Sequence, residues 1–284
     1  MSDNSSVHSL QNTTGTKLAL TYTPAKGQHL GPVILAHGTF SNHRSLRRLA
    51  EYLSKNGYDC WLLDFQGHGH SDPPASDPNF ESMCLEDAQA ALDYVRPRYP
   101  STPVIWVGHS GGGLGILTLL CRQPETANHL KAVVTIGSQA THAAKAWKNR
   151  LIIQLSRVLT KMLRQAPGHW FKLGPEPEFG PVMAQWYHWN LNGQWLGHDG
   201  FDYVPALAHI HTPTLMLSGS GDTFIAPPEG CLHLFNSLCS KNKKYVECGL
   251  HSGFSEDYNH ARLVSSRNAS QEIWPIVSHW LSEQ

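Results

Sequence analysis

The run Val104-Ile105-Trp106-Val107-Gly108-His109-Ser110-Gly111-Gly112 decides how this chain reads. Its first four residues are an uninterrupted apolar stretch, the mark of a short buried strand, and Leu114–Cys121 follows as a helix. The pattern G-x-S-x-G therefore falls on a strand-to-helix turn. A serine held on such a turn has strained backbone geometry, and glycines at its flanks avoid collisions. The turn pushes the hydroxyl outward, and the helix N-terminus behind it favours a developing anion. Ser110 is read as a nucleophile, with the Gly111 N–H as one oxyanion donor. A glycine-rich turn with an incidental serine is the plainer alternative, and the strand-to-helix setting argues against it. Gly111-Gly112-Gly113 is not a phosphate loop, because no Lys-Ser/Thr follows it.

Outward from this turn, short apolar runs alternate with segments of helical period. Strands are expected at Lys17–Tyr22, Val33–Ala36, Cys60–Leu63, Val104–Val107, Ala132–Ile136, Thr214–Leu217 and Tyr245–Cys248. Helices are expected at Leu46–Asn56 (stopped by Gly57), about Met83–Arg96 (stopped by Pro97), Trp147–Arg164, about Glu229–Leu238 and about Ala269–Leu281. Such alternation implies parallel strands joined by right-handed helical crossovers, an α/β fold with a mostly parallel central sheet flanked by helices. Met1–Asn12 is polar, and reads as a frayed arm or a short first strand.

The rhythm breaks after Gly137, where about 138–205 is rich in Trp, His and Gly. Residues 1–137 with 206–284 are expected to form one core domain, and 138–205 an insertion into it, which the resemblance drawn from the motifs below implies is a helical cap. Within the insertion, Leu151, Leu155, Val158, Leu159 and Met162 share one helical face. The expectation is that this face packs on the sheet domain. An acyl channel or a face touching lipid is the sharper alternative. Trp147, Trp170, Phe171, Trp186, Tyr187, Trp189, Trp195 and Phe201 crowd the same region, as cap core or as pocket lining.

His37-Gly38-Thr39-Phe40 follows the strand Val33–Ala36, at a carboxyl end of the sheet. A loop there can aim a backbone N–H at a carbonyl bound over Ser110. Thr39 is expected as the second oxyanion donor, with Phe40 as the alternative.

These signals, with Asp64-Phe65-Gln66-Gly67-His68-Gly69-His70-Ser71, resemble the α/β-hydrolase superfamily over nearly the whole chain except the middle insertion. The resemblance is to bacterial predicted serine esterases and lipases with a cap. It implies that Asp64, His68 and His70 are architecture that shapes the site. Metal binding by His68 and His70 is a weaker reading, since no HExxH or carboxylate cluster accompanies them. It also implies that Asp222, in Ser218-Gly219-Ser220-Gly221-Asp222 after the strand Thr214–Leu217, is the acid of a triad in the order Ser, Asp, His. Asp199 and Asp202 lie in the insertion and are poorer candidates.

Two histidines follow the strand Tyr245–Cys248. Loop length favours His251. The pattern Gly253-Phe254-Ser255-x-Asp257-Tyr258-x-His260, continuing to Ala269-x-x-Glu272-Ile273-x-Pro275, resembles the bacterial group in which the last histidine is the base, and implies His260.

Composition narrows the function classes. Lys+Arg and Asp+Glu both number 22, so no basic surplus exists to bind nucleic acid. No apolar run is long enough to span a bilayer, so no stable membrane insertion is expected. Met1–Asn12 lacks a signal-peptide layout, and the six cysteines show no framework spacing, which together imply a cytoplasmic protein with free thiols. No cofactor or metal is required. The expected chemistry is hydrolysis of an ester or acyl substrate carrying an apolar group, through Ser110, His260 and Asp222. A thioesterase, lysophospholipase or acyltransferase would use the same residues. Aspartate-nucleophile relatives are disfavoured because a serine occupies the turn. A non-catalytic binding protein of the same fold is the rival from another class.

Overall fold

A computed structural model describes residues 5–171 and 173–284, without the side chains of Trp170 and Phe171. The elements in chain order are β1 Ser6–Gln11, β2 Lys17–Thr23, β3 Gly31–Ala36, α1 Arg47–Lys55, β4 Tyr58–Asp64, α2 Phe80–Val95, β5 Val104–His109, α3 Gly111–Arg122 and β6 Leu130–Ile136. Then follow α4 Trp147–Leu163, β7 Gln165–Ala166, β8 Glu178–Phe179, α5 Gly180–Asn192 and α6 Tyr203–Ala206. The chain ends with β9 Thr214–Gly219, α7 Pro228–Ser237, β10 Lys243–Cys248, α8 Arg262–Ser265 and α9 Arg267–Ser282.

Eight strands form one sheet in the order β1-β2-β4-β3-β5-β6-β9-β10. β1 and β2 enter antiparallel, and from β4 onward every pairing is parallel. The inner strands are largely apolar because both faces are covered. Alternate residues feed two separate cores: Ile34, Trp61, Leu63, Val104 and Trp106 face α2 and α3. Val33, Leu35, Cys60, Leu62, Ile105 and Val107 face α1 and α9. Each such leucine or valine contributes about 1.5–3 kcal/mol on burial, so a one-residue slip in register would be heavily penalised.

The amino-terminal segment forms the first strand from Ser6 onward. α2 begins three residues before the expected start, because Asn79 and Ser82 form a reciprocal capping box there. α3 begins directly at the turn, three residues before the apolar pattern does.

The chain between β6 and β9 packs α4 on α5, and α5 on α2. Its own core joins Ala143, Ala144, Ile153, Ala166, Met183, Tyr187 and Leu191 with Phe40 of the β3–α1 loop. The orientation expected for α4 is overturned. Ile153 and Thr160 are its buried residues, whereas Leu151, Leu155, Val158 and Met162 are exposed. A helical pattern marks an apolar stripe but carries no information on what covers it, and the smaller face of α4 fits against α5. Trp189 and Trp195 are fully buried in the sheet core shared with α2 and α3 rather than in a separate cap core, while Trp186 and Tyr187 line a cavity.

Candidate active site

Ser110 sits between β5 and α3 with φ 53°, a left-handed conformation that a serine rarely adopts. Close packing forces the flanking glycines. A Cβ on Gly112 would come 2.2 Å from the Ala36 carbonyl oxygen, and one on Gly108 would come 2.3 Å from the Gly113 nitrogen. The turn is held by Ser110 N–H donating to the Ile136 carbonyl (2.8 Å), Ser138 Oγ donating to the Ser110 carbonyl (2.8 Å) and Trp106 Nε1 donating to the Gly112 carbonyl (3.0 Å).

His260 lies in the segment after β10, and its Nδ1 is 2.6 Å from Asp222 Oδ2 in the turn after β9. Asp222 also accepts from Ile225 N–H (3.0 Å) and Ala226 N–H (3.1 Å). Burial pushes its carboxyl up, but the His260 ring and the two N–H groups outweigh this and hold it below the usual carboxylate range. With Nδ1–H committed to the carboxylate, Nε2 is the nitrogen left to exchange a proton. Ser110 and His260 line the same cavity.

The segment bearing His260 is folded back by its own motif. Asp257 accepts from Ser220 Oγ (2.7 Å) and Leu250 N–H (3.0 Å), and Gly221 N–H donates to the Tyr258 carbonyl (3.0 Å). Tyr258 donates to Glu272 of α9 (2.8 Å), and Ser255 bonds the same carboxylate. His251, the alternative base, is instead an exposed residue 3.4 Å from Glu247. Asp199 pairs with Arg122 (2.6 Å) and Asp202 caps α6, so neither faces this site.

Thr39 and Gly111 both line the cavity, and a Cβ on Gly111 would lie 3.4 Å from the Thr39 nitrogen. Phe40 N–H, the alternative donor, is turned away: it donates to Glu178 of β8 (3.3 Å). Phe40 itself has φ 63° and an inward side chain.

The Asp64 to Ser71 segment is structural. Asp64 accepts from His43 N–H (2.7 Å), His43 Nδ1 (2.7 Å) and His70 N–H (2.9 Å), and Ser71 Oγ donates to the Asp64 carbonyl (2.6 Å). His43, Asp64 and His70 bring possible ligand atoms within 4.8 Å of one another, but the carboxylate is already occupied by those three donors. His68 turns elsewhere, toward Glu178. His37, buried, bonds the Gly38 carbonyl (2.7 Å) and the Phe65 N–H (3.2 Å), and burial lowers it to about 4, so it is neutral.

One contributor was not foreseen. His109, the residue before Ser110, places its Nε2 3.1 Å from the His260 carbonyl, with the two rings 4.7 Å apart. Burial drives it down to about 3, so the ring is neutral and Nε2–H is the donor. Its adjacency to the nucleophile was the available signal.

The cavity measures about 230 Å³ and is walled by Phe40, Phe80, Leu114, Ile153, Leu173, Met183, Trp186, Tyr187, Phe224, Ile225 and Val264. Among the described residues, none lining it is an aspartate, glutamate, lysine or arginine.

Fold and site together define an α/β-hydrolase of the esterase and lipase type. The chain belongs to the serine aminopeptidase S33 family, which it matches over residues 27–257. It is 26% identical over 231 residues to the mouse sn-1-specific diacylglycerol lipase ABHD11, covering 74% of this chain and 72% of that one. It is 25% identical over 275 residues to a proline iminopeptidase of Lactobacillus delbrueckii subsp. bulgaricus, covering 85% and 90%. Among solved structures, a soluble variant of the Saccharomyces cerevisiae monoglyceride lipase superimposes with a TM-score of 0.73 at 17% identity, covering 98% of this chain and 94% of that one.

Proposed function

We propose that this protein is a serine-dependent carboxylic ester hydrolase acting on esters with an apolar acyl or alcohol group. Ser110 Oγ attacks the ester carbonyl while His260 Nε2 takes its proton. Asp222 holds the imidazole in the Nδ1–H tautomer and stabilises the imidazolium. The N–H groups of Thr39 and Gly111 receive the oxyanion. His260 then protonates the leaving alcohol, and a water deprotonated by His260 releases the acyl group from Ser110. We further propose that 138–205 acts as a cap over this cavity within one hydrolase domain. The six free thiols, four of them buried, suit a reducing cytoplasm.

The observation that carries the ester reading is the lining of the cavity. An aminopeptidase must hold a charged α-ammonium group, for which a carboxylate is the natural partner, and a lining of apolar side chains with uncharged polar ones such as Ser45, Gln139 and Ser156 supplies none. A thioester or acyl-transfer substrate would meet the same groups and differ only in what leaves or accepts the acyl group.

The test is hydrolysis of p-nitrophenyl esters of increasing acyl length alongside proline p-nitroanilide, with the intact protein and Ser110→Ala. Ester turnover lost in the variant, with no anilide turnover, supports the reading. Preferred cleavage of the anilide would replace it with an aminopeptidase, and no turnover of any substrate together with no labelling by a fluorophosphonate would favour a binding protein.

A further inference from the structure

Exposed apolar surface on this protein is concentrated on one helix. Of the ten large hydrophobic side chains that stand exposed among the described residues, seven belong to α4: Trp147, Leu151, Ile152, Leu155, Val158, Met162 and Leu163. Trp147 is 72% exposed and Met162 76%, so these are full side chains in solvent rather than edges of a core. Leu151, Leu155, Val158 and Met162 recur at helical spacing and form a continuous stripe, with Trp147 one turn before it. Patches of this kind mark a surface that is covered in use.

The charge around the stripe says what covers it. The chain as a whole is balanced at 22 and 22, yet from Thr126 to Pro175 there is no aspartate or glutamate. Lys145, Lys148, Arg150, Arg157, Lys161 and Arg164 fall on or beside α4, and none of them enters an ion pair among the described residues. At 100° per residue, Arg157, Lys161 and Arg164 cluster along one flank of the stripe, between it and the buried Ile153 and Thr160 face. A helix with an apolar stripe and basic residues beside it lies in the plane of a membrane interface, the stripe among the acyl chains and the cations at anionic headgroups.

We propose that α4 docks this protein on the surface of an anionic lipid bilayer, through the Trp147–Met162 stripe and the flanking Arg157, Lys161 and Arg164. The contact is peripheral, since no helix among the described residues is long and apolar enough to cross a membrane. Ile153 and Ser156, elsewhere on the same helix, line the cavity, so the docked face sits about one helix diameter, ~10 Å, above the substrate space. Binding itself does not depend on which bond the site cleaves.

The test is flotation with vesicles of phosphatidylcholine, with and without phosphatidylglycerol, using full-length Ser110→Ala protein so that turnover cannot alter the lipid. The protein is expected to float with phosphatidylglycerol vesicles and to release as salt rises. Leu155→Ser with Met162→Ser is expected to abolish flotation while leaving hydrolysis of a short soluble ester by the Ser110 form unchanged, which excludes misfolding. Arg157→Gln and Lys161→Gln are each expected to weaken binding roughly fivefold, the scale of one basic residue at an anionic surface. Absence of flotation with anionic vesicles, or equal flotation with neutral ones, would overturn the proposal. So would a dimer in solution that Leu155→Ser dissociates, since a second copy would then be the occupant.

Discussion

His68, in the loop after β4, and Glu178, in β8 of the segment between β6 and β9, meet with Nε2 and Oε2 3.3 Å apart, and both side chains are buried. The contact is an ion pair at this distance rather than a formed hydrogen bond. His68 Nδ1 bonds the Gln66 carbonyl (3.0 Å), so its Nε2 must carry a second proton to face a carboxylate. Glu178 also accepts from Phe40 N–H, which ties the loop bearing Thr39 to β8.

Glu178→Gln is expected to lower the unfolding free energy by about 3 kcal/mol, the scale of leaving one member of a buried pair behind. Urea unfolding followed by tryptophan fluorescence measures it. The same variant loosens the anchor of the Thr39 loop without removing a donor. Its kcat should therefore fall by about tenfold with KM little changed, less than the roughly 10²–10³ of losing an oxyanion donor outright. An unchanged kcat would mean that the Phe40 bond does not position the loop.

The pair also makes stability depend on pH. Burial disfavours the imidazolium, yet the Glu178 carboxylate outweighs it and raises His68 from 6.5 to about 9. A group raised on folding stabilises fully below its unfolded value and loses that contribution as pH rises through its folded value. The urea midpoint is thus expected to fall between 6.5 and about 9, and Glu178→Gln is expected to remove that slope. A wild-type midpoint flat across this window would show that His68 stays neutral.

Asp222→Asn keeps the shape of the turn but loses the charge that orients His260. A fall in kcat of order 10³–10⁴-fold is expected, the scale for losing the carboxylate of such triads. A melting curve should remain cooperative, and wild-type turnover in this variant would remove Asp222 from the mechanism.

His109→Ala removes the donor to the His260 carbonyl and the ring beside it. A kcat loss of about tenfold is expected, corresponding to about 1.4 kcal/mol, with KM held and the shape of the pH profile unchanged. The profile is the informative readout: His109, lowered to about 3, is neutral at working pH and adds no titration of its own.

The sheet was readable from the sequence wherever strands are covered on both sides, because burial of both faces leaves continuous apolar runs such as Val33–Ala36 and Val104–Val107. α5 was not, since its buried residues Val182, Met183, Tyr187, Trp189, Asn190 and Leu191 spread over about half of the helix circumference and include the polar Asn190, which blurs the apolar stripe. α4 was legible as a helix but not in its orientation. Leu151, Leu155, Val158 and Met162 form the obvious stripe, while the residues that face inward are Ile153 and Thr160.

For the site, local geometry and distant contacts separate cleanly. The sequence by itself determined that Ser110 falls between a strand and a helix on a sharp turn that leaves no room for a Cβ at Gly108, whereas at Gly112 it is the Ala36 carbonyl of β3, a neighbour supplied by the fold, that excludes one. It could not choose between His251 and His260 by spacing, because both follow the same strand. Only the tertiary structure decided that Asp222 reaches His260, through contacts of Asp257 with Ser220, Tyr258 with Gly221 and Tyr258 with Glu272. It likewise decided that Phe40 N–H turns to Glu178, a partner 138 residues away. Backbone sterics act between neighbours in the chain and leave their mark in the sequence. Hydrogen bonds between loops depend on where the whole fold carries them.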